Sequence, residues 1–381
     1  MAKRAEEDPR LSLSGSPSPL FRPLPLGGLS LRNRIAMAPM TRERAPGGMP
    51  TDAMAAYYAR RAAGGTGLIV TEGIATDATG CFGDQVPRLF GPDVVDGWRK
   101  VVDGVHAEGA AIIAQLWHVG AFAPSMIGMT DGARPVERIS PSGLAAPGRP
   151  FGRTMTESDI ADSIAAFAGA AAAAQGAGFD GIELHGAHGY LIDQFLWPQT
   201  NRRTDRFGPA DRTRFAVELV RAVRRATRDR FALSFRLSQW KQLDYGARLA
   251  ETPGELAAIV GPLAEAGVDL FHCSTRRFWE PAFPGDDRNL AGWTRALSGK
   301  PAMTVGSITL DVDFKAPDGK VHASGVGAHV ALLERGLELG WFDLVAVGRA
   351  MIANPDWARR VRDGDAGDLR PFTGAMLETL I

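Results

Sequence analysis

The chain of 381 residues is 45% hydrophobic and 23% charged, and its 43 Lys and Arg balance 43 Asp and Glu. Such a chain can bury a large core in one or two domains. With no net field to draw it to nucleic acid or an anionic membrane, its expected partner is a small neutral or weakly charged molecule. Only two cysteines are present, Cys81 and Cys273, neither in a C-x-x-C pair, which argues against a disulfide framework or an iron–sulfur cluster and for a cytoplasmic protein.

Residues 1–20 mix charges with Ser, Pro and Gly, carry no signal-peptide core, and are expected to form a loose, disordered tail. From there short apolar segments recur: RIAMAPM (34–40), GLIVTEG (67–73), AIIAQLWH (111–118), GIELHGAH (181–188), FALSFRLS (231–238), DLFHCST (269–275), PAMTVGS (301–307) and LVAVGRA (344–350). Most begin as unbroken apolar runs, as parallel strands covered on both faces require. Helical patterns fit 93–109, 211–229 and 328–340, and Thr156-Glu157-Ser158-Asp159 and Thr252-Pro253-Gly254-Glu255 open two further helices. The weakest crossover is 276–300, where only NLAGWTRALS has a helical pattern. No apolar run is long enough to span a bilayer. Eight strands alternating with helices, undivided by a hydrophilic linker, predict an α/β fold, a single (β/α)8 TIM barrel over 21–381.

Active sites of such barrels lie at the C-terminal ends of the strands, so those ends are the positions to interrogate. Gly306-Ser307 and Gly348-Arg349, ending the seventh and eighth strands, suit a phosphate through open backbone, a hydroxyl and a guanidinium, or else make two tight turns. Gln115 and Arg236 end apolar runs. They suit the amide-like edge of a heterocycle and a negative charge on a ring, or else pair with neighbouring strand ends or with Glu183. His185 and His188, three apart, lack a third ligand at any recognised metal spacing, and no metal is expected. They are either strand-end histidines satisfied by local backbone or two ring N–H donors aimed at one substrate oxygen, with Tyr190 as an adjacent acid. The stretch 119–155 after the third strand, rich in Pro, Gly and Met, is expected to be a lid-like insert.

Six motifs in order carry a resemblance. They are Asn33-Arg34-Ile35-Ala36-Met37-Ala38-Pro39-Met40-Thr41-Arg42, Ala114-Gln115-Leu116-Trp117-His118, His185-Gly186-Ala187-His188-Gly189-Tyr190-Leu191, Asn201-Arg202-Arg203-Thr204-Asp205-Arg206-Phe207-Gly208, Gly306-Ser307 and Gly348-Arg349. Together the chain resembles the old yellow enzyme family of flavin-dependent ene-reductases from about Phe21 onward. The resemblance implies tight, non-covalent FMN at the barrel mouth and NAD(P)H as transient reductant. Pro39, Met40 and Thr41 would back the flavin, with the Thr41 hydroxyl tuning its potential. Gly73 would let the second strand approach it, Gln115 and Arg236 would meet its pyrimidine edge, and Gly306, Ser307, Gly348 and Arg349 would hold the phosphate. Hydride would pass from flavin N5 to an α,β-unsaturated carbonyl or nitro compound whose oxygen is held by His185 and His188. Tyr190 would supply the proton, and Trp117 and Phe278 would shape the substrate pocket.

The chain departs from the family pattern at Gly208-Pro209 and Asp211-Arg212-Thr213-Arg214, which concerns a helix start. More consequential is the loop from His272 to Glu280, where Arg276, Arg277 and Trp279 either narrow the pocket, select an acidic or aromatic substrate, or form a solvated turn with Arg276 paired to Glu280. A phosphate-binding barrel isomerase or lyase without flavin, and a flavin protein limited to slow oxidase activity, are the competing readings. A single-domain enzyme is expected, and homo-oligomerisation is left open.

Overall fold

In a computed structural model, which describes residues 18–128, 136–310 and 326–380, eight parallel strands close into a barrel. They are β1 (Ile35–Met37), β2 (Leu68–Ala75), β3 (Ala111–Trp117), β4 (Gly181–His185), β5 (Ala232–Ser238), β6 (Leu270–Ser274), β7 (Ala302–Val305) and β8 (Leu344–Val347), and β8 pairs with β1. Each lies within its predicted segment or within two residues of it. The residues that extend past the strands, such as Gly186 to His188 and Gly348 to Arg349, form the loops at the mouth.

The helices around the barrel start where the caps predict. The Thr156 hydroxyl accepts from Asp159 N while the Asp159 carboxylate accepts from Thr156 N, opening α3 (Glu157–Gly176). Thr252 caps α6 (Pro253–Ala266) through Glu255 N, and the weak sixth crossover contains α7 (Leu290–Ser298), capped by Asn289. α2 (Val94–Ala107), α5 (Arg214–Ala226) and α8 (Val326–Glu338) match the remaining patterns, and α4 (Leu191–Leu196) is a single short turn of helix after the β4 loop. α1 (Asp52–Ala63) was not among the predicted helices, because it buries Arg61 and Tyr58 where the pattern calls for apolar residues. Its signal was the Thr51 cap with Met54, Tyr57, Tyr58 and Ala62 on one face.

Inside the barrel two layers differ in chemistry. An N-terminal hairpin, Leu24–Leu26 with Leu29–Leu31, plugs the bottom and packs Leu24, Leu26 and Leu31 against Leu68, Ile113, Leu270, Met303 and Leu344. Above that plug, side chains from adjacent strands are polar: Glu183 sits in register with Gln115 and Ser234, and Arg236 with His185 and His272. The boundary of the expected tail shifts, since Leu20 is fully buried within a turn at Pro19–Phe21; residues 1–17 lie outside the described residues. Of the insert expected over 119–155, residues 129–135 also lie outside them. Among the described residues no helix is long and apolar enough to cross a membrane.

Candidate active site

A cavity of about 520 Å³ opens at the C-terminal end of the barrel, within the range of about 300–1,000 Å³ usual for small-molecule sites. Pro39, Met40 and Thr41 line it from the loop after β1, and Gln115 and Trp117 line it from β3. His185, His188, Tyr190, Arg236, Ser307, Gly348 and Arg349 complete the expected set on its walls. Three expected residues stand elsewhere. Gly73 gives room to Trp117, because a Cβ there would lie 2.4 Å from the indole Cε3. Gly306 (φ 156°) lets the β7 tip cross the β6 loop, where a Cβ would meet Thr275 Oγ1 at 2.5 Å. Phe278 is buried in the core, edge-on to Trp279 and His329, because the loop turns inward after Thr275 with Phe278 N donating to Gly306 O at 3.2 Å. In that same loop it is Arg277 that pairs with Glu280, at 2.9 Å, while Arg276 lies 4.6 Å over the Tyr245 ring and lines the cavity.

Beneath the cavity lies a fully buried carboxylate. Glu183 accepts from Gln115 Nε2 at 2.8 Å, from Ser234 Oγ at 2.9 Å and from His272 Nδ1 at 2.8 Å. Burial alone would raise its pKa, but the adjoining His272, Arg236 and the Gln115 amide outweigh burial and hold it down to about 2. Burial in turn holds His272 in its neutral form, so Nδ1–H is the donor to the carboxylate. Burial also brings Arg236 down to about 10, against the pull of Glu183, and leaves it a cation with its Nε unpartnered among the described residues. Gln115 therefore does pair with Glu183, as one reading of the sequence had it, yet it still faces the cavity.

The histidine segment forms a strained turn on the cavity wall. His188 (φ 67°) and Gly189 (φ 83°) are both left-handed, a conformation that needs outside support at a non-glycine residue. Support comes from Asp193, which accepts Gly189 N at 2.7 Å and is paired at 2.6 Å with the buried Lys241 Nζ. Gln194 Nε2 donates to Gly189 O at 2.8 Å. The His185 and His188 rings stand 5.1 Å apart, and Tyr190 is 5.0 Å from His185. Burial, with Arg236 adding to it, pushes both histidines well below their ordinary pKa and keeps them neutral; burial raises the Tyr190 phenol and keeps its proton on.

Several contributors lay outside the sequence reading. Phe82 stacks on Trp117 at 5.1 Å, Trp240 stacks on His188 at 4.3 Å, and Phe372 and Leu377 line the cavity from the C-terminal segment. Arg42 holds that segment by donating to Met376 O and Thr379 O, while Arg42 N and Glu43 N donate to the buried Glu72. Of the charged groups, Asp193 stands within the mostly apolar run Leu191 to Leu196, and that misplaced charge was the signal available. A flat ligand with a polar edge at Gln115 and Arg236 and an anionic end at Ser307 and Arg349 suits these walls.

Comparison with known proteins agrees with that chemistry. Residues 19–367 match the NADH:flavin oxidoreductase / NADH oxidase family. The chain is 34% identical to 12-oxophytodienoate reductase 7 of Oryza sativa subsp. japonica, over 91% of this chain and 88% of that protein. It is also 34% identical to an NADH oxidase of Thermoanaerobacter brockii over 92% of this chain, and it spans about half (52%) of that longer protein. Morphinone reductase in complex with tetrahydroNAD superposes with a TM-score of 0.77 at 29% identity, covering 95% of this chain and 94% of that one. The old yellow enzyme homologue of Zymomonas mobilis gives 0.76 at 27% identity, covering 95% and 97%. The chain thus belongs to the NADH:flavin oxidoreductase / NADH oxidase family, the old yellow enzymes, and is an FMN-dependent NAD(P)H oxidoreductase.

Proposed function

We propose that the barrel of residues 21–381 reduces the activated C=C bond of α,β-unsaturated carbonyl or nitro compounds, with reductant and substrate using one site in turn. The observation that carries this reading is two neutral imidazoles, 5.1 Å apart, beside a protonated buried phenol on the wall of a cavity that Arg236, in register with His185 on the next strand, also lines. Pro39, Met40 and Thr41 would back the FMN ring, Gln115 and Arg236 would meet its pyrimidine edge, and Ser307, Gly348 and Arg349 would hold its phosphate, with Gly306 shaping the turn. The unpartnered Arg236 Nε and the cavity's size support that fit. When bound, FMN supplies the hydride chemistry, taking hydride from NAD(P)H and giving it to the β-carbon.

The remaining work falls to the chain. His185 and His188 hold the substrate oxygen, and as neutral donors in a water-poor site they stabilise the charge that develops there. Tyr190 keeps its proton at neutral pH and donates it to the α-carbon. Arg236 remains a cation and offsets negative charge at the ring edge. Trp117, held by Gly73 and Phe82, shapes the substrate wall. The double variant His185→Ala/His188→Ala is expected to keep FMN and to be bleached by NAD(P)H anaerobically, but to lose reoxidation by cyclohexenone and the binding of phenols. Retained enone turnover would refute the oxygen clamp.

A further inference from the structure

The second histidine of the clamp is fixed by contacts that lie far from it in sequence. His188 N donates to Ser238 Oγ at 3.0 Å, its ring stacks on Trp240 at 4.3 Å, and its Nε2 lies 2.8 Å from Ser274 Oγ, 86 residues along the chain. Ser238 and Ser274 are in register at the ends of β5 and β6, so two neighbouring strand ends set one hydroxyl at the His188 backbone N–H and the other at its imidazole. Ser274 is buried and lines the cavity, and His188 is its hydrogen-bond partner. His188 Nδ1 makes no hydrogen bond among the described residues.

We propose that the Ser274 hydroxyl donates to His188 Nε2 and so holds His188 as the Nδ1–H tautomer, which makes Ser274 a positioning residue of the oxygen clamp; this rests on the reading of His188 as a clamp residue. A neutral imidazole carries one ring proton and one lone pair. Were the proton on Nε2, Ser274 would accept it, the serine's own proton would have no acceptor among the described residues, and Nδ1 would turn a lone pair toward the cavity. A lone pair repels a carbonyl or nitro oxygen. With the proton on Nδ1, the serine O–H is satisfied and the cavity receives an N–H. His185 is set the opposite way, because Ala187 N donates to its Nδ1 at 3.4 Å and leaves the proton on Nε2. The two clamp donors thereby sit on different ring nitrogens, a pairing that the two-histidine motif alone does not determine. His188 stays neutral because it is buried beside Arg236 and Lys241, so the choice of tautomer persists through the neutral pH range.

The test uses the FMN-loaded enzyme labelled with ¹⁵N-histidine, whose ring nitrogens and carbon-bound ring protons are correlated by NMR; the His188 signals are assigned by their loss in His188→Gln. His188 is expected as Nδ1–H and His185 as Nε2–H. In Ser274→Ala, His188 should shift toward Nε2–H and phenol binding should weaken about tenfold, the scale of one lost hydrogen bond. Ser274→Thr, which keeps the hydroxyl, should restore both. A wild-type His188 found as Nε2–H, or a tautomer unchanged in Ser274→Ala, overturns the assignment to Ser274. Failure of the clamp reading is separate: it shows as phenol binding retained in the double histidine variant, whatever the tautomer.

Discussion

Replacing Glu72 by Gln tests the buried acid behind the flavin-side loop. Glu72 lies within β2, is buried, and accepts Arg42 N at 2.9 Å and Glu43 N at 3.3 Å, directly after Thr41. Burial raises its carboxyl from 4.5 to about 7, against the opposing pull of those two N–H groups. The folded protein therefore holds a proton that the unfolded chain releases. This contribution to stability is complete below about pH 4.5 and is lost as pH rises through 7. The gap between 4.5 and about 7, at about 1.4 kcal/mol per pH unit, is worth about 3 kcal/mol. Gln keeps a carbonyl oxygen for both N–H groups and carries no titrating proton. Urea unfolding at pH 5, 6.5 and 8, at fixed FMN concentration, should show Glu72→Gln close to wild type at pH 5 and more stable than it at pH 8 by up to about 3 kcal/mol. Histidines titrate in the same window, so the difference between the two proteins is the quantity to read. A difference that does not change between pH 5 and 8 would refute a protonated Glu72.

Two further substitutions probe the walls of the site. Gly73→Ala places a Cβ 2.4 Å from Trp117 Cε3, and such overpacking should cost about 1–3 kcal/mol in urea unfolding and raise KM for the enone; an unchanged midpoint would show that the indole moves aside freely. Lys241→Met leaves Asp193 buried and unpaired beneath the His188 turn, a loss of about 3–5 kcal/mol in the same assay. Adding Asp193→Leu should recover only part of it, since Gly189 N then lacks its acceptor, and full recovery would mean that this hydrogen bond contributes nothing.

Much of the fold was legible because its causes are local. Eight apolar runs, the hydroxyl caps at Thr156 and Thr252, and the Asn289 start of the weak α7 identify the elements by period and end chemistry. The residues projecting from the strand ends were legible as well, because the rule that barrel sites gather there needs only the order of strands. Phe278 was misjudged because its direction depends on how the β6 loop turns over Gly306, a contact between strands that no spacing reveals. The space at Gly73 likewise answers a contact between strands, since the group that fills it is an indole from the adjoining strand.

By itself the sequence determined the barrel, its N-to-C order and the strand ends that form its mouth, since period, caps and strand ends are properties of short segments. Only the tertiary structure decided how those side chains are held. Glu183 gathers Gln115, Ser234 and His272, Lys241 neutralises Asp193 beneath a left-handed histidine, and Ser274 meets His188 across two strands. Each of these is a pairing of polar groups removed from water. Such groups require partners whose identity follows from closure of the barrel and not from position along the chain.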